Sequence, residues 1–122
     1  MKQVVLTHLF RLYIRGKNNY LNVDRFLTGV EILKTMAISR ILLQNIPNIK
    51  AYWVTTTLNL SLVAQEYGAN DIDGTIEKES INSAAGAQSS NGLKLDELVE
   101  LIKDSGFVPV ERDSLYNEIK VY

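Results

Sequence analysis

An α/β fold built from parallel β-α repeats is predicted for this chain, and three observations carry the prediction. Aromatic and β-branched runs at 51–57, 69–73 and 107–111 read as strands. Segments with apolar residues at three- and four-residue spacing separate them and read as helices. Two of those helices run into a glycine, Gly68 and Gly106, where a left-handed residue ends a helix most easily. Strands that alternate with helices pair in parallel through right-handed crossovers.

Taken in order, Asp24 is a good N-cap for the first helix. Phe26, Leu27, Val30, Leu33, Met36, Ala37, Ile41 and Leu42 then recur at helical spacing until Pro47. The pattern predicts an amphipathic helix from Arg25 to Asn45, whose broad apolar stripe needs a large partner surface. Ala51 to Thr57 follows as a strand, and Leu58 to Tyr67 as a second helix. Ala69 to Asp73 is the next strand, with a helix from Glu77 to Ala85 and a small, polar loop over 86–92. Leu95, Leu98, Val99 and Ile102 mark one face of a helix ending at Ser105. Phe107 to Glu111 makes the third strand, and Asp113 is placed to cap a short final helix. Parallel strands are covered on both faces, so three of them do not complete an architecture. The pattern fits a small open sheet with the amino-terminal segment as an added strand. It fits equally a partial (β/α)8 barrel arc.

Composition narrows the function classes. At 122 residues, 46% apolar and 22% charged, the chain has the size and makeup of one globular domain. A formal charge of −1 sets up no field directed at nucleic acid or a membrane, and neither partner is expected. The run from Met1 to Phe10 is broken by His8, Arg11 follows, and no small-residue cleavage site comes after, so it is not a signal peptide. With no cysteine, these residues hold no disulfide framework, thiolate metal site or thiol nucleophile. A reducing cytoplasm is the expected compartment. His8 is the lone histidine and has no companion ligands in sequence, so no metal site is expected. Phosphate-binding glycine loops, HExxH and GxSxG are absent.

Polar groups at the carboxyl ends of parallel strands are the places to look for chemistry. Here those ends offer Thr55, Thr56 and Thr57, then Asp73, Gly74 and Thr75, then Glu111 and Arg112. The set suits hydrogen bonding to a polar ligand such as a nucleoside or amino-acid moiety. Each residue also has a structural explanation. The threonines favour strands, and one of Asp71 and Asp73 serves equally well to bond backbone amides in the turn. Glu111 and Arg112 point to opposite faces of a strand, so one at most faces a site at that level. Tyr52 and Trp53 are assigned to the core.

Residues 18–122 resemble the carboxyl-terminal part of the radical S-adenosylmethionine enzymes of the futalosine route to menaquinone, aminofutalosine synthase in particular. The resemblance runs from Leu33 through Ser39-Arg40 to Trp53, then Gly68-Ala69-Asn70-Asp71-Ile72-Asp73-Gly74-Thr75 and Ala84-Ala85-Gly86-Ala87. It closes on Gly106-Phe107-Val108-Pro109-Val110-Glu111-Arg112-Asp113-Ser114-Leu115-Tyr116-Asn117. It implies a (β/α)8 barrel of which this chain supplies the last strands and helices. It also implies S-adenosylmethionine and a [4Fe–4S] cluster as the family's cofactors. The family reaction adds a deoxyadenosyl radical to 3-[(1-carboxyvinyl)oxy]benzoate and forms aminofutalosine with loss of CO₂.

The family's cluster needs three cysteines from a Cys-x₃-Cys-x₂-Cys loop in the amino-terminal half of the barrel, and this chain has none. The expectations that follow are no catalytic residue, no metal ligand and no cofactor in this chain. Thr55, Thr57, Asp73, Thr75, Glu79 and Arg112 are expected to line the substrate or cofactor mouth as positioning groups. Residues 1–17 form an atypical basic stretch: Lys2, Arg11, Arg15 and Lys17 stand among the first twenty residues without one acid. A truncated or frame-disrupted reading frame, or an excised piece, is the expected origin. The expected partners are a missing amino-terminal barrel half or further copies of the chain.

Overall fold

The computed structural model describes residues 27–73 and 93–122. The first element is α1, Gly29–Leu42. It begins at Thr28 because a reciprocal pair of bonds satisfies the first turn. The Thr28 hydroxyl accepts from the Glu31 amide at 3.3 Å, and the Glu31 carboxylate accepts from the Thr28 amide at 2.8 Å. Asp24, the cap expected from sequence, lies outside the described residues, as does Phe26. The buried side of α1 is Ile32 and Met36, one helical turn apart, with Leu33 beside them. Val30, Ile41 and Leu42 of the expected stripe are exposed instead. The helix is apolar on more than one side, so spacing did not single out the face that packs.

The chain then forms β1, Lys50–Tyr52, and the one-turn helix α2, Trp53–Thr56. The strand expected over 51–57 therefore stops at Tyr52. The Thr55 and Thr56 hydroxyls donate back to the Tyr52 carbonyl at 3.0 and 3.1 Å, and the Thr57 amide donates to Trp53 at 2.9 Å. Local side-chain bonding of this kind overrides the β-propensity of threonine. Trp53 and Val54 are buried, as a core role requires. α3, Leu58–Ala64, continues as a 3₁₀ turn over Gln65–Tyr67 and ends at Gly68, whose φ of 97° is the left-handed stop predicted for it.

β2, Asp71–Asp73, pairs in parallel with β1 in the register Lys50–Asp71, Ala51–Ile72 and Tyr52–Asp73. The crossover between them contains α3, as the β-α pattern predicts. Ala51 is wholly buried and clusters with Ile32, Met36, Ala64 and Ala69, which places α1 and α3 against one face of the pair. Arg40 ties the loops at the amino-terminal edge together. It donates to the carbonyls of Gly68 (2.8 Å), Ile46 (3.3 Å) and Pro47 (3.2 Å), and to Asn70 Oδ1 (2.8 Å). A Cβ at Gly68 would lie 2.7 Å from the Arg40 Cβ, so glycine is needed there for space as well as for φ.

The predicted helix over 77–85, the loop over 86–92 and the basic stretch 1–17 with His8 lie outside the described residues. α4, Leu95–Asp104, buries Val99, half-buries Leu98 and Ile102, and stops at Gly106 with φ 85°. Of the third strand predicted over Phe107 to Glu111, Val110 and Glu111 alone lie in a strand, β3, Val110–Arg112. Among the described residues it pairs not with the parallel strands but antiparallel with β4, Glu118–Val121. The predicted terminal helix is therefore replaced by a hairpin. Asp113 does not cap a helix: its carboxylate collects the amides of Leu115 (2.8 Å) and Asn117 (2.9 Å) and the Asn117 side chain (2.8 Å). Tyr116, at φ 65°, completes the reversal. These bonds, that of the Asn117 side chain first, hold the Asp113 carboxyl below its ordinary 3.8.

The architecture is thus mixed α/β around a short two-stranded parallel sheet, with an antiparallel hairpin at the carboxyl end. No helix among the described residues is long and apolar enough to cross a membrane.

Candidate functional site

Residues two apart on a strand share a face, and in-register neighbours on the adjacent strand share it too. Ala51 faces the helices, so Lys50, Tyr52, Asp71 and Asp73 lie on the opposite side of the sheet. That side is charged. The Lys50 ammonium donates to Asp73 Oδ2 at 2.7 Å and stands 3.9 Å from Asp71 Oδ2. The hairpin adds a second cation: Arg112 grips Asp71 as a fork, Nε to Oδ1 at 3.0 Å and Nη2 to Oδ2 at 2.7 Å. The Tyr116 hydroxyl donates to the same Oδ2 at 3.1 Å, while the Arg112 guanidinium lies 4.1 Å from the centre of the Tyr116 ring.

The electrostatics follow from burial and pairing. Only 7% of the Asp71 side chain is exposed, against 44% for Asp73. A buried carboxylate is tolerated when charge-assisted bonds replace its water, and the guanidinium fork with a phenol does this. The hydrogen bond to Asp73 raises the Lys50 pKa above its ordinary 10.5 despite burial. The hydrogen bond to Asp71 likewise raises that of Arg112. Burial first, and then Asp71, raises the Tyr116 phenol above 10.0. At neutral pH Lys50 and Arg112 therefore both carry their charge and the Tyr116 phenol is neutral.

Of the residues proposed from sequence, Asp73 and Arg112 join this cluster, bridged by Lys50 and Asp71. Thr55 and Thr57 do not sit on a strand end. Thr55 lies in α2 with its hydroxyl on the Tyr52 carbonyl, and Thr57 caps α3, accepting from the Leu60 amide at 3.4 Å. Thr75 and Glu79 lie outside the described residues. Glu111 accepts from the Tyr122 hydroxyl at 2.8 Å while Arg112 turns to Asp71, so the two neighbours do part as strand alternation requires. Lys50, Asp71 as an ion-pair centre, and Tyr116 escaped sequence reasoning. The alternation Asp71-Ile72-Asp73 did signal two carboxylates on one face. Nothing local pointed to the hairpin 41 residues further on. Among the described residues no group of three His, Cys, Asp or Glu side chains is placed to hold a metal ion.

Residues 14–121 match the family model described as the CofH/MqnC C-terminal region. The chain is 41% identical over 102 residues to the aminodeoxyfutalosine synthase of Thermus thermophilus, covering 84% of this chain and 27% of that protein. With the enzyme of the same name from Streptomyces coelicolor it shares 38% over 96 residues, covering 78% and 25%. With the 5-amino-6-(D-ribitylamino)uracil–L-tyrosine 4-hydroxyphenyl transferase of Archaeoglobus fulgidus it shares 43% over 114 residues, covering 92% and 33%. The chain spans a quarter to a third of the length of these relatives. A match over nearly all of its residues, running through the parallel pair and into the hairpin that builds the charged face, makes this chain a member of the CofH/MqnC C-terminal region family.

Proposed function

We propose that this chain forms the substrate-side wall of a radical S-adenosylmethionine barrel enzyme of the aminodeoxyfutalosine synthase type. One observation carries the proposal: Asp73, half-exposed at the carboxyl end of β2, is held by Lys50 at 2.7 Å on the polar face of the parallel pair. Parallel sheets place ligands at that end of their strands. Helices against one face and charges on the other match the outside and inside of a barrel, which supports a partial (β/α)8 arc. Asp73 hydrogen-bonds and orients the substrate, with Thr55, Thr57, Thr75 and Glu79 as the other candidate contacts. Arg112 acts from behind through Asp71.

An iron–sulfur cluster needs soft thiolate ligands, and these 122 residues contain no cysteine. The residues present do not fit that group, so cluster ligation is assigned elsewhere and no reaction step to this chain alone. Anaerobic co-expression in cytoplasm with a cysteine-bearing amino-terminal barrel half tests this. Cluster absorbance and carbon–carbon bond formation are expected from the pair and not from the chain alone. Turnover by the chain alone, or an assembled cluster with no product, overturns the proposal. Supplying L-tyrosine with 5-amino-6-(D-ribitylamino)uracil separates the two kinds of relative, and hydroxyphenyl transfer would reassign the chemistry.

A second reading, a self-associating or nucleoside-binding module, rests on α1, where Val30, Ile41 and Leu42 are more than 60% exposed. Light scattering should then give a dimer or larger at micromolar concentration, and a clean monomer removes the self-associating form. Calorimetry with adenine nucleosides decides the binding form, which no heat would eliminate.

A further inference from the structure

The hairpin of β3 and β4 is an unusual companion for the sheet. From Ser114 to Val121 every residue is exposed, including Leu115, Ile119 and Val121. Its internal order comes from strand pairing and from the Asp113 turn, both self-contained. The three hydrogen bonds described above that join it to the parallel pair all end on one carboxylate, that of Asp71. Little apolar area holds the outer hairpin down, whereas three charge-assisted bonds do. An element fastened in that way opens locally, as one unit, at a free energy below that of global unfolding.

We propose that Asp71 is a positioning residue whose carboxylate is the catch for a carboxyl-terminal strap, the hairpin from Val110 to Val121, that closes over the polar face beside Lys50 and Asp73. When the catch is made, Arg112 and Tyr116 stand beside the Lys50–Asp73 pair, which stays partly open to solvent. When it is released, the hairpin swings away intact and Lys50 keeps both carboxylates for partners. A ligand that reaches Asp73 therefore meets the strap beside it, and Arg112 moves with the strap. Tyr116 reports the state of the catch, because its hydroxyl is bonded to Asp71 only when closed.

Amide hydrogen exchange on the full 122-residue chain tests this without any turnover, so failure of the proposed enzyme activity leaves the outcome readable. In Asp71→Asn, exchange over 110–121 should rise on the order of tenfold or more, while α1, β1 and α3 keep their protection. Raising salt from about 0.1 M to about 1 M should accelerate the same amides in the unmodified chain, because part of the catch is ionic. Titration of the Tyr116 phenol should move back toward 10.0 in Asp71→Asn. A merely structural Asp71 would raise exchange everywhere together, and that result overturns the proposal, as does an unchanged hairpin. Should Asp71→Asn fail to fold, Tyr116→Phe and the salt series decide. Hairpin amides that still exchange in step with the sheet then sink the strap.

Discussion

At Thr57 the backbone takes φ 85° and ψ 150°, a region open almost only to glycine. A β-branched residue held there stores roughly 1–3 kcal/mol of strain. The surroundings over-determine it: its amide is bonded to Trp53, its carbonyl accepts from Ser61, and its hydroxyl caps α3. The position follows α2, one helical turn past the end of β1. Thr57→Gly removes the strain and adds at most about 1 kcal/mol of unfolded-state entropy and lost capping. The variant is expected to be more stable by about 1 kcal/mol in a urea melt. A midpoint equal to or below that of the unmodified chain would show the conformation to be unstrained.

On the scale of elements, two polar devices divide the work of holding the parallel strands. Arg40 serves the amino-terminal edge, drawing α1, the loop before β1 and the turn before β2 onto one guanidinium. Its partners are mostly backbone carbonyls, so its task is to place the strands. Lysine cannot reproduce the planar fork, and Arg40→Lys should lower stability by about 2 kcal/mol. Arg112 serves the charged face and holds a hairpin to a sheet. Arg112→Lys is expected to loosen the hairpin more than the core, because the fork on Asp71 is lost while the Ile32, Met36 and Ala51 packing remains. Thermal melts followed by far-ultraviolet circular dichroism, read beside hairpin amide exchange, distinguish the two effects.

For the molecule as a whole, the charged face predicts how stability varies with pH. Lys50 and Tyr116 both hold their protons more tightly in the folded chain than their ordinary values of 10.5 and 10.0. Groups raised in this way contribute stability that is complete below those values and is lost as pH rises through the folded ones. Stability should therefore be level from neutral pH to about 9 and fall above about 10. Asp71→Asn should flatten the alkaline fall, since it removes part of what raises both groups. An alkaline limb equally steep in the variant would place the cause elsewhere. The many apolar side chains left on the outside of α1 belong to this scale as well, and in the proposed barrel a neighbouring helix or subunit covers them.

Helix stops were legible because glycine at positive φ is a local matter: Gly68 and Gly106 end their helices where the sequence places them. The parallel β-α unit was legible too, since alternation of strand and helix leaves few topologies. Family membership could be read from the order of the motifs, Ser39-Arg40, Asp71-Ile72-Asp73-Gly74 and Gly106 to Asn117, before any geometry. The buried side of α1 was not legible, because Val30, Ile38 and Ile41 are as apolar as Ile32 and Met36. Neither was the end of β1, where threonine hydroxyls turn a β-prone run back on itself. The charged cluster was decided by tertiary structure alone. It pairs Asp71 with Arg112 and Tyr116 across more than forty residues. Periodicity records which face a residue takes on its own element; only the packed chain decides what that face meets.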